Sequence, residues 1–132
     1  MTESDTARIL QAEKRVLIVS GEASGDTYGA ELIKHIKSMK PGTEFFGVGG
    51  QKMRDAGLVA LSRAEDVSVV GFVEIFKQLR PILKALSSLK RSVRELTPDL
   101  VILIDFPDFN FRIARAAKRA GVPVFYYVSP QV

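Results

Sequence analysis

The chain alternates short, continuous apolar runs with longer segments in which apolar residues recur at three- and four-residue steps. The runs are too short for helices and several are rich in β-branched residues, which is typical of strands buried on both faces of a sheet. They predict strands at Val16–Val19, Glu44–Val48, Leu58–Leu61, Leu100–Ile104 and Val122–Val128.

The segments between these strands have helical spacing. It predicts helices over Thr27–Met39, Gln51–Ala56, Gly71–Val93 and Asn110–Ala120, the last with a basic outer face. Pro81 is expected to kink the third helix or to divide it into two. Because strand and helix alternate throughout, the predicted fold class is α/β, a Rossmann-like parallel sheet with helices on both faces.

A chain of 132 residues, 46% of them hydrophobic, has the size and apolar content of one domain. Residues 1–14 show no clear periodicity and are expected to form a flexible arm, so the domain is expected over residues 15–132. The sequence stops directly after a predicted strand, without a helix to cover it. This end is a first hint that a partner domain is missing.

Composition argues against several kinds of site. There is no cysteine, so a disulfide framework and a thiolate metal site are excluded, and a single histidine, the surface candidate His35, argues against a catalytic zinc. Residues 1–14 carry acids and lack the apolar run of a signal peptide. No apolar stretch approaches the roughly 20 residues that cross a bilayer. We therefore expect a cytoplasmic protein that is at most bound to a membrane face.

The net charge of +4 is mild, but the charge is unevenly distributed. From Lys77 to Arg94 the chain has six basic residues and no acid, and such a block attracts anionic partners. Aromatic residues are not interleaved with these cations, which disfavours nucleic acid as the partner.

In an open α/β sheet, ligands bind beyond the carboxyl ends of the strands. Two glycine-containing segments fall there, GEASGD at residues 21–26 and GVGG at residues 47–50. The first has neither the GxGxxG spacing of a dinucleotide site nor the GK[ST] of a P-loop. Each segment is open to two interpretations, an anion-binding turn at a helix amino terminus or an ordinary tight turn, the first with Ser24 or Asp26 as helix cap.

A third segment, DFPDFN at residues 105–110, follows the most apolar strand. A carboxylate facing the cleft at a strand end stands where a general base acts, and Asp105 is the candidate. Asp108 has a simpler explanation as the N-cap of the next helix. An ionised Asp105 either meets solvent in a cleft or is paired, and the pattern alone leaves both open.

The predicted helix after Gly71 has a wider apolar face than one narrow stripe requires. Packing on the sheet accounts for part of it. The apolar face has a basic edge, which suits an anionic membrane interface. The residues of this membrane hypothesis are Phe72, Val73, Ile75, Phe76, Leu79, Ile82, Leu83, Lys77, Arg80 and Lys84.

Taken together, these segments resemble the lipid-A-disaccharide synthase family, glycosyltransferases of bacterial lipid A assembly. The resemblance runs from about Arg15 to the last residue, and its motifs stand in the family's order and spacing: GEASGD (21–26), GVGG (47–50), VVGFVE (69–74), IDFPDFN (104–110) and YVSPQV (127–132). GEASGD and DxPDFN are specific, whereas GVGG alone carries no weight. The family usually has alanine where this chain has Phe106, a difference that bears on acceptor fit.

The resemblance implies the amino-terminal, acceptor-side half of a GT-B fold, in which two Rossmann-like domains face each other across a cleft. It implies that UDP-2,3-diacylglucosamine is joined to 2,3-diacylglucosamine 1-phosphate (lipid X), with inversion, release of UDP and no metal or other cofactor. Both substrates are membrane lipids, which implies peripheral association with the inner membrane. Most UDP contacts would belong to the carboxyl-terminal domain, so the chain alone is expected to be inactive.

The resemblance also implies the roles of single residues. Asp105 would take the proton from the acceptor 6-hydroxyl. The implied substrate-binding residues are Glu22, Ser24, Gly25, Asp26, Gly49, Gly50 and Asn110. Two other functions stay open: a stand-alone module that binds a nucleotide or an anionic lipid without catalysis, and another GT-B relative such as a UDP-sugar epimerase, which would not depend on lipid.

Overall fold

The structure, a computed structural model, describes residues 1–63 and 75–128, and of these it describes 62, 63 and 75–79 by their backbone alone. The strands are β1 (Lys14–Ser20), β2 (Thr43–Gly49), β3 (Leu58–Arg63), β4 (Leu100–Ile104) and β5 (Val124–Tyr127). They form one sheet in the order β3-β2-β1-β4-β5, and every neighbouring pair is parallel. The α/β prediction is confirmed, and each predicted strand is present.

The helices of the described residues are α1 (Glu3–Gln11), α2 (Ala23–Met39), α3 (Gln51–Asp55), α4 (Ile75–Leu96) and α5 (Pro107–Arg119). Buried residues of α2 and α3 pack on one face of the sheet. Those of α1, α4 and α5 pack on the other face. The sheet is therefore covered on both sides, as its continuous apolar strands require.

Strand β1 shows how one apolar run serves both layers. Leu17 and Val19 are buried against the layer that contains α4 and α5. Val16 and Ile18 are buried against the layer that contains α2. Because successive side chains of a strand point to opposite faces, each residue of the run fills a core, and each contributes about 1.5–3 kcal/mol.

Helix α1 replaces the flexible arm expected over residues 1–14. The hydroxyl of Thr2 accepts the N–H of Asp5 at 3.0 Å, and the Asp5 carboxylate accepts the N–H of Thr2 at 3.2 Å. This capping box begins the helix, and the fully buried Ile9 attaches it to the core. The guanidinium of Arg15 then donates to carbonyl groups near the carboxyl ends of α1 and α4. With a single buried residue, α1 has no apolar stripe for periodicity to detect.

Two helix starts also differ from the predictions, and one of the two alternatives expected at Pro81 is excluded. Helix α2 begins at Ala23, so residues 22–26, predicted as a loop, are its N-cap and first turn. Helix α4 continues through Pro81, so the chain is not divided there; its predicted start at Gly71 lies outside the described residues. Helix α5 begins with Pro107, at the first helical position that proline favours, so its N-cap is Phe106 and not Asp108.

Candidate functional site

The sheet reverses its winding direction between β1 and β4. These strands are adjacent, and their last residues, Ser20 and Ile104, are partners in the sheet register. After β1 the chain enters α2 on one face, and after β4 it enters α5 on the opposite face. The two connections diverge and leave a crevice at the carboxyl edge of the sheet, which is where open α/β folds bind ligands.

A cleft of about 290 Å³ lies at this crevice. It holds the acidic side chains Glu22 and Asp105, which come from two different predicted loops. Its remaining lining is largely apolar and consists of Phe106, Pro107, Phe111, Tyr126 and Val128. The structure therefore brings together an acid after β1 and an acid after β4 beside an apolar wall.

The backbone of Asp105 is fixed by neighbours on two elements. Its N–H donates to the carbonyl oxygen of Tyr127 at 2.9 Å, which extends the pairing of β4 with β5. Its carbonyl oxygen accepts from the side-chain amide of Asn110 and from the hydroxyl of Tyr126, each at 2.8 Å. The Asn110 amide also donates to the carbonyl oxygen of Ile104 at 3.2 Å. The resemblance implies that Asn110 lies near Asp105, and in the structure its side-chain amide binds the backbone of Asp105.

Asp105 and Phe106 both adopt left-handed backbone conformations, with φ of +46° and +51°. Residues with a Cβ avoid this region, at a cost of about 1–2 kcal/mol each. Such residues persist where the surroundings hold them, and they cluster at active sites and ligand clamps. Here the hydrogen bonds to the Asp105 carbonyl hold the turn at the point where β4 meets the cleft.

Tyr126 belongs to the site, although sequence reasoning did not select it. Burial raises the pKa of Tyr126 above its ordinary value of 10.0, and the negative charge of Asp105 raises it further. The two side chains line the same cleft. Its position in the sequence could have indicated Tyr126, because β5 runs parallel to β4 and the two strands end at the same edge of the sheet.

Asp26 lies in a separate arrangement, at the amino terminus of α3. It is 7% exposed, and its carboxylate oxygens accept the backbone N–H groups of Gly50 at 2.9 Å and of Lys52 and Met53 at 3.0 Å. Asp26 thus caps a helix that begins 25 residues later in the chain. The predicted alternative, a cap of α2 by Ser24 or Asp26, is not what the structure has, because the N-cap of α2 is Glu22.

The predicted glycines lie at points of close packing. A Cβ on Gly50 would come within 2.6 Å of the Asp26 carboxylate, and one on Gly49 would come within 2.7 Å of the Met53 sulfur. Gly25 is buried between the side chains of Ser20 and Ile104. These glycines support the loops around the crevice and do not line the cleft that holds Asp105.

The membrane hypothesis can be compared with part of α4. Phe72 and Val73 lie outside the described residues, as do the side chains of Ile75, Phe76, Lys77 and Leu79. Leu83 is 52% exposed, and Arg80 and Lys84 are exposed near it on the same helix. Ile82, by contrast, packs partly against the core. Within residues 1–63 and 75–128, no helix is both long enough and apolar enough to span a membrane.

No group of histidine and acidic residues among the described parts of the chain is arranged to hold a metal ion. The chemistry that the cleft offers is that of two carboxylates, one of them on a strained and hydrogen-bonded turn, next to an apolar wall. Such a site can accept a proton from a bound hydroxyl and can hold a ligand with apolar groups.

Two solved structures have similar folds. The calicheamicin glycosyltransferase has a TM-score of 0.57 at 18% identity, over 90% of this chain and 33% of that one. The C-terminal domain of a Pyrococcus furiosus hydrogenase has a TM-score of 0.59 at 17% identity, over 86% of this chain and 91% of that one. At these identities the similarity shows the Rossmann-like fold alone.

Sequence comparison is more specific. The family model described as lipid-A-disaccharide synthetase matches residues 16–132. A lipid-A-disaccharide synthase of Syntrophus aciditrophicus is 52% identical over 119 residues, which are 90% of this chain and 31% of the relative. One of Coxiella burnetii is 46% identical over 121 residues, 92% of this chain and 32% of the relative. The chain thus spans about a third of these relatives, and it belongs to the lipid-A-disaccharide synthetase family of glycosyltransferases.

Proposed function

We propose that this chain forms the acceptor side of a glycosyltransferase whose full length is that of its relatives. The reaction joins UDP-2,3-diacylglucosamine to 2,3-diacylglucosamine 1-phosphate and gives the β-1,6-linked disaccharide 1-phosphate and UDP. The observation that carries this proposal is the position of Asp105. It follows β4 at the reversal point of the sheet and shares a cleft with Glu22.

In the proposed reaction, the carboxylate of Asp105 accepts the proton of the acceptor 6-hydroxyl. The hydroxyl oxygen forms a bond to the anomeric carbon of the donor, while the bond from that carbon to the UDP oxygen breaks and UDP leaves with the electron pair. An ordinary carboxylate is a weak base, so much of the rate has to come from positioning. The hydrogen bonds of Asn110 and Tyr126 to the Asp105 backbone support this role.

The rest of the cleft fits an acylated acceptor. Phe106, Phe111 and Tyr126 offer apolar surface beside the two carboxylates, and most ligand sites combine such a wall with a few polar groups. Glu22 and Ser24 are exposed at the start of α2, where they can meet the sugar. The substrate-binding proposal for Gly25, Asp26, Gly49 and Gly50 is then an indirect one, since these residues fix the surrounding loops.

The catalytic role is tested in a chimera in which this chain replaces the matched third of the Syntrophus aciditrophicus relative. Asp105→Asn should lower kcat about 10²- to 10⁴-fold, the usual contribution of a general base. Asp108→Asn is the matched control, because Asp108 is exposed in the first turn of α5. A screened charge at a helix end contributes little, so this variant should keep turnover within about threefold of the parent. Near-parental turnover of Asp105→Asn, with substrate binding intact, contradicts the assignment.

We further propose that the chain alone does not catalyse transfer, because the resemblance implies that most UDP contacts belong to a carboxyl-terminal domain, and the chain spans only about a third of its relatives. The 132-residue protein is incubated with both substrates, and disaccharide formation is followed by mass spectrometry. The expected result is no product from the chain and product from the parental chimera. Product from the purified chain would reject this part of the proposal.

Both substrates are lipids, so we propose a cytoplasmic protein that binds the inner membrane peripherally through the first half of α4. Leu83→Ser should reduce flotation of the protein with vesicles that contain phosphatidylglycerol. Met39→Ser is the control, since Met39 is 68% exposed at the end of α2, on the opposite face of the sheet. Equal losses for the two variants would show that α4 is not the contact.

A further inference from the structure

A second cleft, of about 280 Å³, lies between α4 and α5. Lys90 and Arg94, one turn apart on α4, form one side of it. Arg112, Arg115 and Arg119, at three- and four-residue steps on α5, form the other. The other lining residues are small, Ala116 and Ala120, so the long side chains of the cleft are all cationic.

No acidic residue that the structure describes lines this cleft. Among the described residues, the ion pairs join Arg8 to Asp5 and Glu44, and Lys34 to Glu31, and none involves a lining residue of the cleft. Glu95, the acid next to Arg94, lies in a different depression between α1 and α4. Concentrated positive charge of this kind creates a field that attracts an anion.

The side chains that line the cleft favour phosphate among anions. A guanidinium presents a planar fork of N–H donors that matches two oxygens of one phosphate group, and here guanidinium groups approach from two helices. The volume lies just below the range of sites for drug-sized ligands, so it suits one or two phosphoryl groups and not a large molecule. No aromatic side chain lines it, which is unlike a surface that stacks bases.

The cleft is separate from the proposed catalytic site. It shares no lining residue with the cleft of Asp105 and Glu22. Both helices follow a strand and return along the sheet, and Arg94 and Arg119 belong to their last turns. These residues therefore lie toward the sheet edge opposite to the one at which Asp105 follows β4.

We propose that the cleft between α4 and α5 is a phosphate-binding site. Its ligand is a phosphoryl group carried either by the headgroup of an anionic lipid or by a small soluble phosphate compound. This proposal does not rest on the glycosyltransferase proposal, since none of its residues takes part in the transfer.

The test measures binding of inorganic pyrophosphate to the full 132-residue chain by calorimetry, with vesicle flotation as a second arm. Arg94→Gln with Arg115→Gln should weaken pyrophosphate binding about tenfold or more, because charge-assisted contacts from both sides are lost. Lys14→Gln with Lys40→Gln removes the same charge from exposed positions on β1 and after α2, and should leave the Kd within about twofold. Thermal unfolding checks that each double variant stays folded.

The vesicle arm identifies the source of the phosphate. The Arg94 and Arg115 double variant is compared with the parent on vesicles that contain phosphatidylglycerol and on vesicles of pure phosphatidylcholine. If its flotation also falls, and falls only with the phosphatidylglycerol vesicles, the ligand is a lipid headgroup. If only pyrophosphate binding falls, the ligand is a soluble phosphate. The proposal is overturned if pyrophosphate does not bind saturably, if the two double variants lose binding equally, or if a duplex RNA binds more tightly than pyrophosphate with the same sensitivity to the substitutions.

Discussion

The hydroxyl of Tyr126 donates a hydrogen bond of 2.8 Å to the backbone carbonyl of Asp105, and so joins the end of β5 to the residue that follows β4. The carbonyl belongs to a residue with φ of +46°, a conformation that an aspartate rarely adopts. The side-chain amide of Asn110 holds the same oxygen from the other side. The turn that carries the proposed base therefore depends on side chains from β5 and α5.

Removal of this hydroxyl should weaken the fold measurably. Tyr126→Phe loses one partly buried hydrogen bond, and the free energy of unfolding should fall by about 1 kcal/mol. Tyr28→Phe is the control, because Tyr28 is 38% exposed and contacts Tyr127 through its ring, so it should cost less than about 0.5 kcal/mol. Urea unfolding checks both values. Equal losses would show that the contact to Asp105 does not stabilise the turn.

The same tyrosine should make stability depend on alkaline pH. Its pKa is raised in the folded state, first by burial and then by the charge of Asp105, so the folded protein holds this proton more tightly than the unfolded chain does. The stabilisation is complete below the ordinary pKa of 10.0 and is lost as pH rises through the raised pKa. From about pH 9 to 11 the parent should lose more unfolding free energy than Tyr126→Phe. Parallel curves for the two proteins would contradict the shift.

Gly21 and Phe106 are coupled across the cleft rim. A Cβ on Gly21 would lie 2.7 Å from the Cδ2 atom of Phe106, whose ring stacks on Phe109 at 5.0 Å. Gly21→Ala should therefore cost about 1–3 kcal/mol through overpacking. With Phe106→Ala in the same chain the clash disappears, so the double variant should be about 1 kcal/mol more stable than the sum of the single effects predicts.

The control for this cycle pairs Gly21→Ala with Phe111→Ala. Phe111 lines the same cleft but is 58% exposed, and the three atoms nearest to a Cβ on Gly21 all belong to Phe106. Its effect should add to that of Gly21→Ala within about 0.5 kcal/mol. Coupling of similar size in both cycles would mean that the loop rearranges as a whole.

The sequence predicted what depends on local pattern and on general rules of topology. The run at Leu100–Ile104 predicted a buried strand. The rule that ligands bind at strand ends selected Asp105 and the segment at residues 21–26, and the resemblance then singled out Glu22, which lines the same cleft as Asp105. The sequence did not predict contacts between distant segments. The cap of α3 by Asp26 joins residues 24 to 27 positions apart, and its existence depends on how closely two loops approach.

Local pattern also failed where tertiary contacts override it. The left-handed turn at Asp105 and Phe106 is held by hydrogen bonds from α5 and β5, and no propensity scale places two such residues there. Helix α1 depends on one buried side chain and one capping box. In each of these cases the stabilising contact is specific to one pair of atoms and leaves no periodic signal.

The carboxylate of Asp26 should be a major determinant of stability. Asp26→Ala leaves the N–H groups of Gly50, Lys52 and Met53 without their acceptor in a largely buried place, and should cost about 3 kcal/mol or more. Asp26→Asn keeps one acceptor oxygen and should cost less. Asp55→Asn, at the exposed end of α3, should change the unfolding free energy by less than about 0.5 kcal/mol. If Asp26→Ala were as mild as Asp55→Asn, the cap would contribute nothing.

Asn110 offers the most direct test of how the turn at Asp105 is held. Its side chain is fully buried, and its amide nitrogen faces the carbonyl oxygens of Ile104 and Asp105. Asn110→Asp keeps the shape but replaces a double donor with an acceptor, so at neutral pH a buried carboxylate would face two oxygens. The expected cost is about 3 kcal/mol or more.

This loss should shrink in acid, because a protonated carboxyl can donate to one of the two oxygens. Burial beside two carbonyls raises the pKa of the introduced carboxyl in the folded state, so the folded variant binds the proton more tightly than the unfolded one. Relative to the parent, its stability is then greatest below the unfolded pKa of about 4 and falls as pH rises toward neutrality. Asn110→Ala removes the donors without adding a charge, so its cost relative to the parent should not change with pH. Unfolding curves from about pH 4 to 7 separate these outcomes. If the cost of Asn110→Asp did not change with pH, its side chain would have turned away from the Asp105 carbonyl, and Tyr126 alone would hold the turn.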